Sequence, residues 1–330
     1  MNLVRIMFDK NNPFGDRGAE IQRLGNLTLG KKGIEQSVCF IELYKSCENT
    51  GDDLKIGTGT GFFTEHNDLV KLITCWHVVT GLHHETRDWL DRTTTCHPDK
   101  LKMYFTGKMP GTDRLTFSSQ MVKLYSEIDG EKVPSWDVNP IVGSLYDIAV
   151  LSFNDPTLRQ HIVPFKLSKT GAHEILEAKD SVFVLGHPID NPMQRYMPIY
   201  KSGSIASSPA LPYKWHPKFL IDATTRSGMS GSPVMLHQDP LHKGFKIGGA
   251  RDLGKINVVG MYSGRADAIE KGRSTELGYV WRLDDIIDVI ESGRRDIMPI
   301  QGVAIPEPDE SMSGEAIDTN GNFIAFNDTV

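Results

Sequence analysis

Long apolar runs are missing from this sequence, and none approaches the roughly 18 residues that a membrane-spanning helix needs. A secretory signal is missing as well. The N-terminal segment carries Arg5, Asp9, Lys10 and Asp16 and has no apolar stretch of signal-peptide length. We therefore expect a cytoplasmic protein with no membrane partner.

Cysteine is scarce, and its use fits a reducing compartment. All four cysteines fall in the first third of the 330 residues: Cys39, Cys47, Cys75 and Cys96. Disulfides form in oxidising compartments, which a chain without a signal does not reach. We therefore expect four free thiols.

A basic surface is also missing. The net charge is −6, and the acidic excess lies at the C-terminus, where residues 296–330 contain seven acidic side chains and no Lys or Arg. The rest of the chain is close to neutral. Because Lys and Arg dominate the affinity for phosphate backbones, we expect no nucleic-acid partner.

Short β-prone runs, separated by turn clusters, fill most of the chain. Lys102–Phe105, Arg114–Phe117 and Met121–Tyr125 are three of them, with the turn signal Pro110–Asp113 between the first two. Asn67-Asp68 predicts a hairpin turn. Strands at this spacing are typical of barrels and sandwiches and not of βαβ units, so we expect an all-β fold.

The best helical pattern lies near the C-terminus, over residues 283–293. Apolar residues recur there at i, i+3, i+4 and i+7, acids occupy the first turn, and a glycine ends the pattern. We expect this helix to close a domain that covers residues 33–295. An N-terminal extension over 1–32 precedes it, and the acidic tail 296–330 follows it.

Three separate stretches carry the residues of nucleophilic catalysis. Ser230 lies between glycines in a short loop, His77 ends an apolar β-prone run, and Asp147 begins another. A serine hydroxyl is a weak nucleophile until a neighbouring base removes its proton, which a histidine held by a carboxylate can do. The backbone N–H groups beside such a serine can bind an oxyanion.

Together these stretches resemble the chymotrypsin/trypsin-like serine peptidases, closest to the bacterial trypsin-like peptidase domains that lack disulfides. The resemblance is carried, in family order, by five segments: Gly59–Phe63, Ile73–Val79, Tyr146–Leu151, Gly228–Val234 and Val258–Gly264. It implies two antiparallel Greek-key β-barrels and a C-terminal α-helix. The corresponding ranges are about 33–155 for barrel one, 156–178 for a linker, about 179–283 for barrel two and 283–293 for the helix.

The resemblance also implies an activity and the residues that perform it. The expected activity is that of a serine endopeptidase, which forms an acyl-enzyme on a polypeptide substrate and uses no cofactor and no metal. His77, Asp147 and Ser230 would be catalytic, and the backbone N–H groups of Gly228 and Ser230 would form the oxyanion hole.

Substrate-binding residues follow from the same resemblance. Thr224, six residues before the serine, matches the base of the family's primary pocket, and Ser263-Gly264-Arg265 matches the strand that pairs with the substrate backbone. Thr224 is not acidic, so a simple preference for Lys or Arg is not expected. Arg265 could narrow the pocket or favour an acidic side chain.

One departure from the family concerns activation. Digestive members have an aspartate before the nucleophile, which pairs with a freed N-terminus, whereas Met229 stands here. Activation by N-terminal trimming is therefore not expected. Either the loop that carries Ser230 and the oxyanion hole is always formed, or a partner orders it. The tail 296–330 is a candidate site for an activating or inhibiting protein partner.

Competing interpretations remain open. A trypsin-fold pseudoprotease or scaffold would keep the barrels and act by binding partners. An α/β-hydrolase needs glycine where Ser232 stands, and its acid and histidine should follow the serine.

Two further motifs could bind a phosphate or a metal. The glycine-rich stretch Gly57–Gly61 is not followed by the helix that a phosphate-binding loop needs, so it favours a bend in a strand. The adjacent His83, His84 and Glu85 lack the spacing of a metal site.

Overall fold

The fold is taken from a computed structural model, which describes residues 34–47, 52–108, 115–169, 171–188, 195–236, 258–266, 276–297, 316–317 and 323–324. The predicted extension 1–32 and most of the tail 296–330 lie outside the described residues. None of the described helices is long and apolar enough to cross a membrane.

The first half is an antiparallel sheet preceded by a 3-10 turn at Ile34–Ser37. Its strands are β1 (Val38–Ser46), β2 (Asp53–His66), β3 (Leu69–Thr74), β4 (Lys100–Lys108), β5 (Leu115–Lys123), β6 (Tyr125–Ile128), β7 (Glu131–Pro134), β8 (Trp136–Val138) and β9 (Ala149–Phe153). Apart from the β6–β7 hairpin, they pair in the order β8-β9-β3-β2-β1-β4-β5.

Two local predictions can be checked in this sheet. The hairpin at Asn67-Asp68 is confirmed, because both residues have positive φ and join β2 to β3. The two strands predicted at Arg114–Phe117 and Met121–Tyr125 are joined over Leu115–Lys123 into one strand, β5, while Tyr125 begins β6. Strand β5 is continuous because the whole run pairs with β4, from Leu115 opposite Lys108 to Lys123 opposite Lys100.

The second half is a closed six-stranded barrel. Its strands are β10 (Ser181–Gly186), β11 (Ile199–Ile205), β12 (Lys218–Asp222), β13 (Ser232–Leu236), β14 (Val258–Arg265) and β15 (Leu277–Arg282), paired in the order β10-β11-β12-β15-β14-β13. Strand β13 therefore pairs with β10 and β14 and not with β12, which precedes it in the chain. The all-β, trypsin-like fold class is confirmed.

Four helices lie among the described residues: α1 (Trp76–Thr80), α2 (Pro156–His161), α3 (Ala172–Ile175) and α4 (Leu283–Ser292). Helix α4 confirms the predicted C-terminal helix, and its apolar stripe is buried at Leu283, Ile286, Ile287 and Ile290. After it, β16 (Arg294–Arg295) pairs with β8, so the chain returns to the first half. In the tail, β17 (Ala316–Ile317) pairs with β18 (Phe323–Ile324).

The core joins the two halves. One buried cluster fills the first sheet but also includes Leu185, Met235 and Trp281 of the second half, together with helix α4. A second cluster fills the interior of the closed barrel. The segments that carry His77, Asp147 and Ser230 all lie along this shared boundary.

Candidate active site

His77 lies in α1, directly after β3. The sequence pattern predicted a strand that continues through His77, but β3 ends at Thr74, where its partner β9 begins with Ala149. On the other side, the Thr60 N–H of β2 donates to the Ser230 carbonyl and not to this segment. The chain turns instead into a short helix that ends at Gly81 with φ 77°. Trp76, Val78 and Val79 are buried on this helix, while the His77 side chain keeps 16% exposure.

Asp147 is fully buried beside this helix, two residues before β9. The pairing of β9 with β3 brings it to His77, and the carboxylate contacts the histidine twice. The His77 backbone N–H donates to Oδ1 at 2.8 Å, and Nδ1 lies 2.7 Å from Oδ2. Burial alone would raise the pKa of Asp147, but the charge of His77 and its hydrogen bonds lower that pKa below its ordinary value.

This arrangement selects one tautomer of the imidazole. A carboxylate can only accept a hydrogen bond, so the nitrogen that faces it must carry a proton. The neutral ring therefore has its proton on Nδ1, and the lone pair of Nε2 is free to accept one. The structure thus brings His77 and Asp147 together in the geometry of an oriented general base.

Ser230 lies in the Ser230 loop, which we define as residues 223–231 between β12 and β13. Its hydroxyl donates to the Ser263 carbonyl oxygen at 3.3 Å, and among the described residues it has no hydrogen bond to His77. The residues around His77 and those around Ser230 nevertheless both approach Gly59. A Cβ there would lie 2.8 Å from Val78 Cγ1, next to His77, and 3.5 Å from the Ser230 carbonyl oxygen.

Thr60 fastens the Ser230 loop to the first half, a role that the sequence pattern did not predict. Its backbone N–H donates to the Ser230 carbonyl at 2.8 Å, and its hydroxyl donates to the Gly228 carbonyl at 2.8 Å. The same hydroxyl accepts the His187 N–H at 3.1 Å, and the Thr60 carbonyl accepts the Thr74 hydroxyl at 2.8 Å. Thr60 is completely buried, so water does not replace these bonds.

The glycines of the Ser230 loop are required by its backbone. Gly228 and Gly231 have φ values of 90° and 88°, and a Cβ on Gly231 would lie 2.0 Å from the Thr60 carbonyl oxygen. Met229 between them is fully buried in the core of the closed barrel. Within the described part of the chain, the N–H groups of Gly228 and Ser230 donate to no protein acceptor. These are the two N–H groups that the resemblance assigns to the oxyanion hole.

A comparison with known families decides which family this geometry represents. Residues 59–240, more than half of the chain, match the model of the trypsin-like peptidase domain. The chain belongs to the trypsin-like peptidase family. The resemblance inferred from the sequence is thus confirmed, and the matched range contains His77, Asp147 and Ser230.

A solved structure similar to this trypsin-like peptidase is Rv3671c from M. tuberculosis H37Rv, in the inactive form of a serine-to-alanine mutant. The alignment covers 78% of this chain and 86% of the other, with 15% sequence identity and a TM-score of 0.38. A search of curated protein sequences gave no match.

The predicted substrate-binding residues of the peptidase lie on two segments, the end of β14 and the Ser230 loop. Ser263, Gly264 and Arg265 end β14, and the pairing with β15 skips Ser263, because Tyr262 pairs with Val280 and Gly264 with Tyr279. The Ser263 carbonyl is thereby left to face the Ser230 hydroxyl. Thr224 lies in the segment before Ser230 and is exposed.

Asp296 is a further residue that the sequence pattern did not single out. It follows the predicted domain boundary at 295, yet it is buried, and its Oδ2 accepts the indole N–H groups of Trp76 at 2.7 Å and Trp136 at 2.9 Å. Burial raises the pKa of Asp296, while the two indole hydrogen bonds oppose that shift. The packed domain therefore extends to Asp296, the first residue of the tail. Asp296 is hydrogen-bonded to Trp76, which directly precedes His77.

Glu85, which follows the adjacent histidines His83 and His84, is paired with a buried lysine. The Glu85 carboxylate lies 3.0 Å from the buried Lys218 ammonium and 3.7 Å from His84 Nε2, while His84 Nδ1 contacts the Leu145 carbonyl at 3.1 Å. Burial lowers the pKa of His84 to about 4. An ammonium group this close disfavours a cation on Glu85, so these residues form a structural network.

Cys75 lies close to His77 and Asp147, and the three side chains place one ligand atom each within 4.8 Å of one another. Burial and the Asp147 charge raise the pKa of Cys75 well above its ordinary value. Because metals bind the thiolate and not the thiol, a protonated Cys75 is a poor ligand. The His77 and Asp147 atoms already bond to each other, so this set fits hydrolytic chemistry better than a metal site.

Proposed function

We propose that this trypsin-like peptidase is a serine endopeptidase, which cleaves polypeptides through His77, Asp147 and Ser230 and an acyl-enzyme intermediate. The observation that carries the proposal is the double contact of the Asp147 carboxylate with the backbone and the ring of His77. This contact holds the imidazole in the tautomer that a general base needs.

The hydroxyl of Ser230 must turn before it can react. It donates to the Ser263 carbonyl and not to His77. A substrate strand that pairs with Ser263–Arg265 would bring its own backbone N–H to that carbonyl. The substrate would then displace the hydroxyl, which can rotate about the Cα–Cβ bond toward Nε2 of His77. Binding of the substrate would thus prepare the nucleophile.

The chemical steps follow from these positions. Nε2 of His77 takes the Ser230 proton as Oγ attacks the substrate carbonyl, and Asp147 stabilises the imidazolium that results. The N–H groups of Gly228 and Ser230 stabilise the negative oxygen. The imidazolium then protonates the leaving amine, and water hydrolyses the acyl-enzyme by the same route in reverse.

The Ser230 loop would be formed without N-terminal trimming. Where digestive relatives use an ion pair, Met229 is buried in the barrel core, and Thr60 bonds to the carbonyls on either side of it. Both contacts lie within the peptidase domain itself. We expect the protein to be active without prior cleavage.

The tail 296–330 is proposed to regulate this activity, alone or with a protein partner. Support comes from Asp296, which ties the start of the tail to Trp76, the neighbour of His77. A chain truncated after Ile297 keeps Asp296 and should differ from the full-length protein in kcat for a peptide substrate. Equal kcat and KM for the two proteins would reject a regulatory tail.

Hydrolysis of an unfolded protein substrate such as casein tests the proposed activity. Wild-type protein should release peptides, and Ser230→Ala should lower kcat by about a million-fold, the loss known for a serine protease with this triad. Ser126→Ala makes the same change at an exposed position of β6 and should keep full activity. A folded wild-type protein without any hydrolysis would favour the pseudoprotease or scaffold interpretation.

A further inference from the structure

Tyr262 comes directly before the strand segment that passes the Ser230 hydroxyl. Its side chain is buried, with 2% exposure, and its phenol is hydrogen-bonded to the hydroxyl of Thr225. Thr225 is itself buried and belongs to the Ser230 loop. The tyrosine ring therefore extends from β14 to the segment that precedes Ser230.

Gly278 on β15 touches the same ring. A Cβ on Gly278 would lie 2.5 Å from Tyr262 Cε2 and 3.2 Å from Cδ2, closer than real side chains come. Its backbone is an ordinary strand, paired with Ile221 on one side and Arg265 on the other. Glycine at this position therefore serves to leave room for the tyrosine ring.

The side chain of the residue at the cleaved bond would enter the domain next to Ser230. Ser230 Oγ touches Ser263, so the attacked carbonyl lies between β14 and the Ser230 loop. The resemblance implies that the side chain next to that carbonyl enters between Ser263–Arg265 and Thr224–Gly228, where the family has its primary pocket. The hydrogen bond between Tyr262 and Thr225 joins the same two segments, β14 and the Ser230 loop.

We propose that Tyr262 closes the primary pocket, and that the peptidase cleaves after residues with small side chains, such as Ala, Ser, Thr and Val. This inference rests on the proposed serine endopeptidase function. A large side chain would have to displace a buried ring that is packed on Gly278 and hydrogen-bonded to Thr225. Close-packed interiors resist such displacement, and a buried Thr225 hydroxyl without its partner adds to the penalty.

Peptide substrates that differ only in the residue before the cleaved bond test this specificity. With wild-type protein, kcat/KM for Ala and Val should exceed kcat/KM for Leu, Phe and Arg at least tenfold. Equal or better cleavage after Phe or Arg would overturn the inference, and this test needs no variant to fold.

Two variants test the part played by the ring. Tyr262→Val removes it and should raise kcat/KM for the Phe substrate, relative to the Ala substrate, at least tenfold. Tyr262→Phe removes only the phenol oxygen and should keep the wild-type preference. A Tyr262→Val protein with wild-type circular dichroism and an unchanged preference would contradict the inference.

An ethyl fluorophosphonate separates this inference from the proposed function, because it has no side chain to place in the pocket. If the probe labels Ser230 while bulky residues are cleaved as well as small ones, only the closed pocket is rejected. If the probe does not label Ser230 and no peptide is cleaved, both the pocket and the peptidase activity are rejected.

Discussion

The two halves of the molecule hold their parts of the site by different means. In the first half, His77 and Asp147 contact each other through two short hydrogen bonds, and the carboxylate is completely buried. In the second half, Ser230 lies in a loop that the first half holds in place, through Thr60. The acid–base pair is therefore fixed within one half, whereas the position of the serine depends on contacts between the halves.

This difference predicts how a substitution in each region should affect catalysis. A change inside the first half should damage proton transfer directly. A change at the boundary should misplace the serine and the oxyanion hole while it leaves the His77–Asp147 pair intact. The three predictions below separate these effects, beginning with the largest.

Asp147→Asn should cause the largest loss, about 10⁴-fold in kcat, because the amide favours the wrong tautomer of His77. The expected magnitude is that known for the serine protease triad. KM should change little, since Asp147 is buried and does not contact substrate. Steady-state kinetics on a peptide substrate measure both quantities. A loss below tenfold would show that the carboxylate does not orient the base.

His84→Gln should change the pH dependence of stability. Burial lowers the pKa of His84 to about 4 in the folded protein, whereas an unfolded histidine titrates near 6.5. Between these values the unfolded chain binds the proton, so wild-type stability falls as pH falls from 7 to 4. Glutamine has no such proton, and the wild type should therefore lose about 3 kcal/mol more than the variant over this range.

Urea unfolding of both proteins at several pH values measures that difference. Parallel pH profiles for the wild type and His84→Gln would contradict a folded state in which His84 is buried and neutral.

Thr60→Val should lower kcat by about tenfold to a hundredfold, the range expected when a reacting group is displaced by up to about 1 Å. Valine keeps the shape but leaves the Gly228 carbonyl and the His187 N–H without their hydroxyl partner. Thr60→Ser keeps the hydroxyl and should restore most of the activity. The reactivity of His77 toward diethyl pyrocarbonate should stay at the wild-type level.

Equal kcat values for wild type, Thr60→Val and Thr60→Ser would contradict the claim that the first half holds the Ser230 loop in place. The Ser230 loop would then hold its shape without the first half. A loss in Thr60→Ser but not in Thr60→Val would point to the packing of the threonine methyl group instead of its hydroxyl.

Local patterns predicted much of this molecule. The β-prone runs, the turn at Asn67-Asp68 and the stripe of Leu283–Ser292 each depend on neighbours in sequence, and the structure has these elements. The family segments also identified the three residues of the proposed triad. Where a strand was predicted through His77, the pattern failed because strand length depends on a distant partner, β9.

The remaining features depend on contacts between residues far apart in the chain. Thr60 lies within a glycine-rich stretch that predicts only a bend, yet its hydroxyl bonds to Gly228, 168 residues away. Asp296 begins an acidic tail, and its burial depends on Trp76 and Trp136. No short-range pattern reveals such pairs, because each partner alone has an ordinary composition around it.

The central claim is that Ser230 is a nucleophile activated by His77, and the site of covalent phosphonylation tests it most directly. Wild-type protein treated with a fluorophosphonate probe should carry the adduct on the peptide that contains Ser230, as located by mass spectrometry. Labelling should disappear in Ser230→Ala, should slow at least a hundredfold in His77→Ala, and should persist in Ser126→Ala. An adduct on another residue, or equal labelling of Ser230→Ala, would contradict the account.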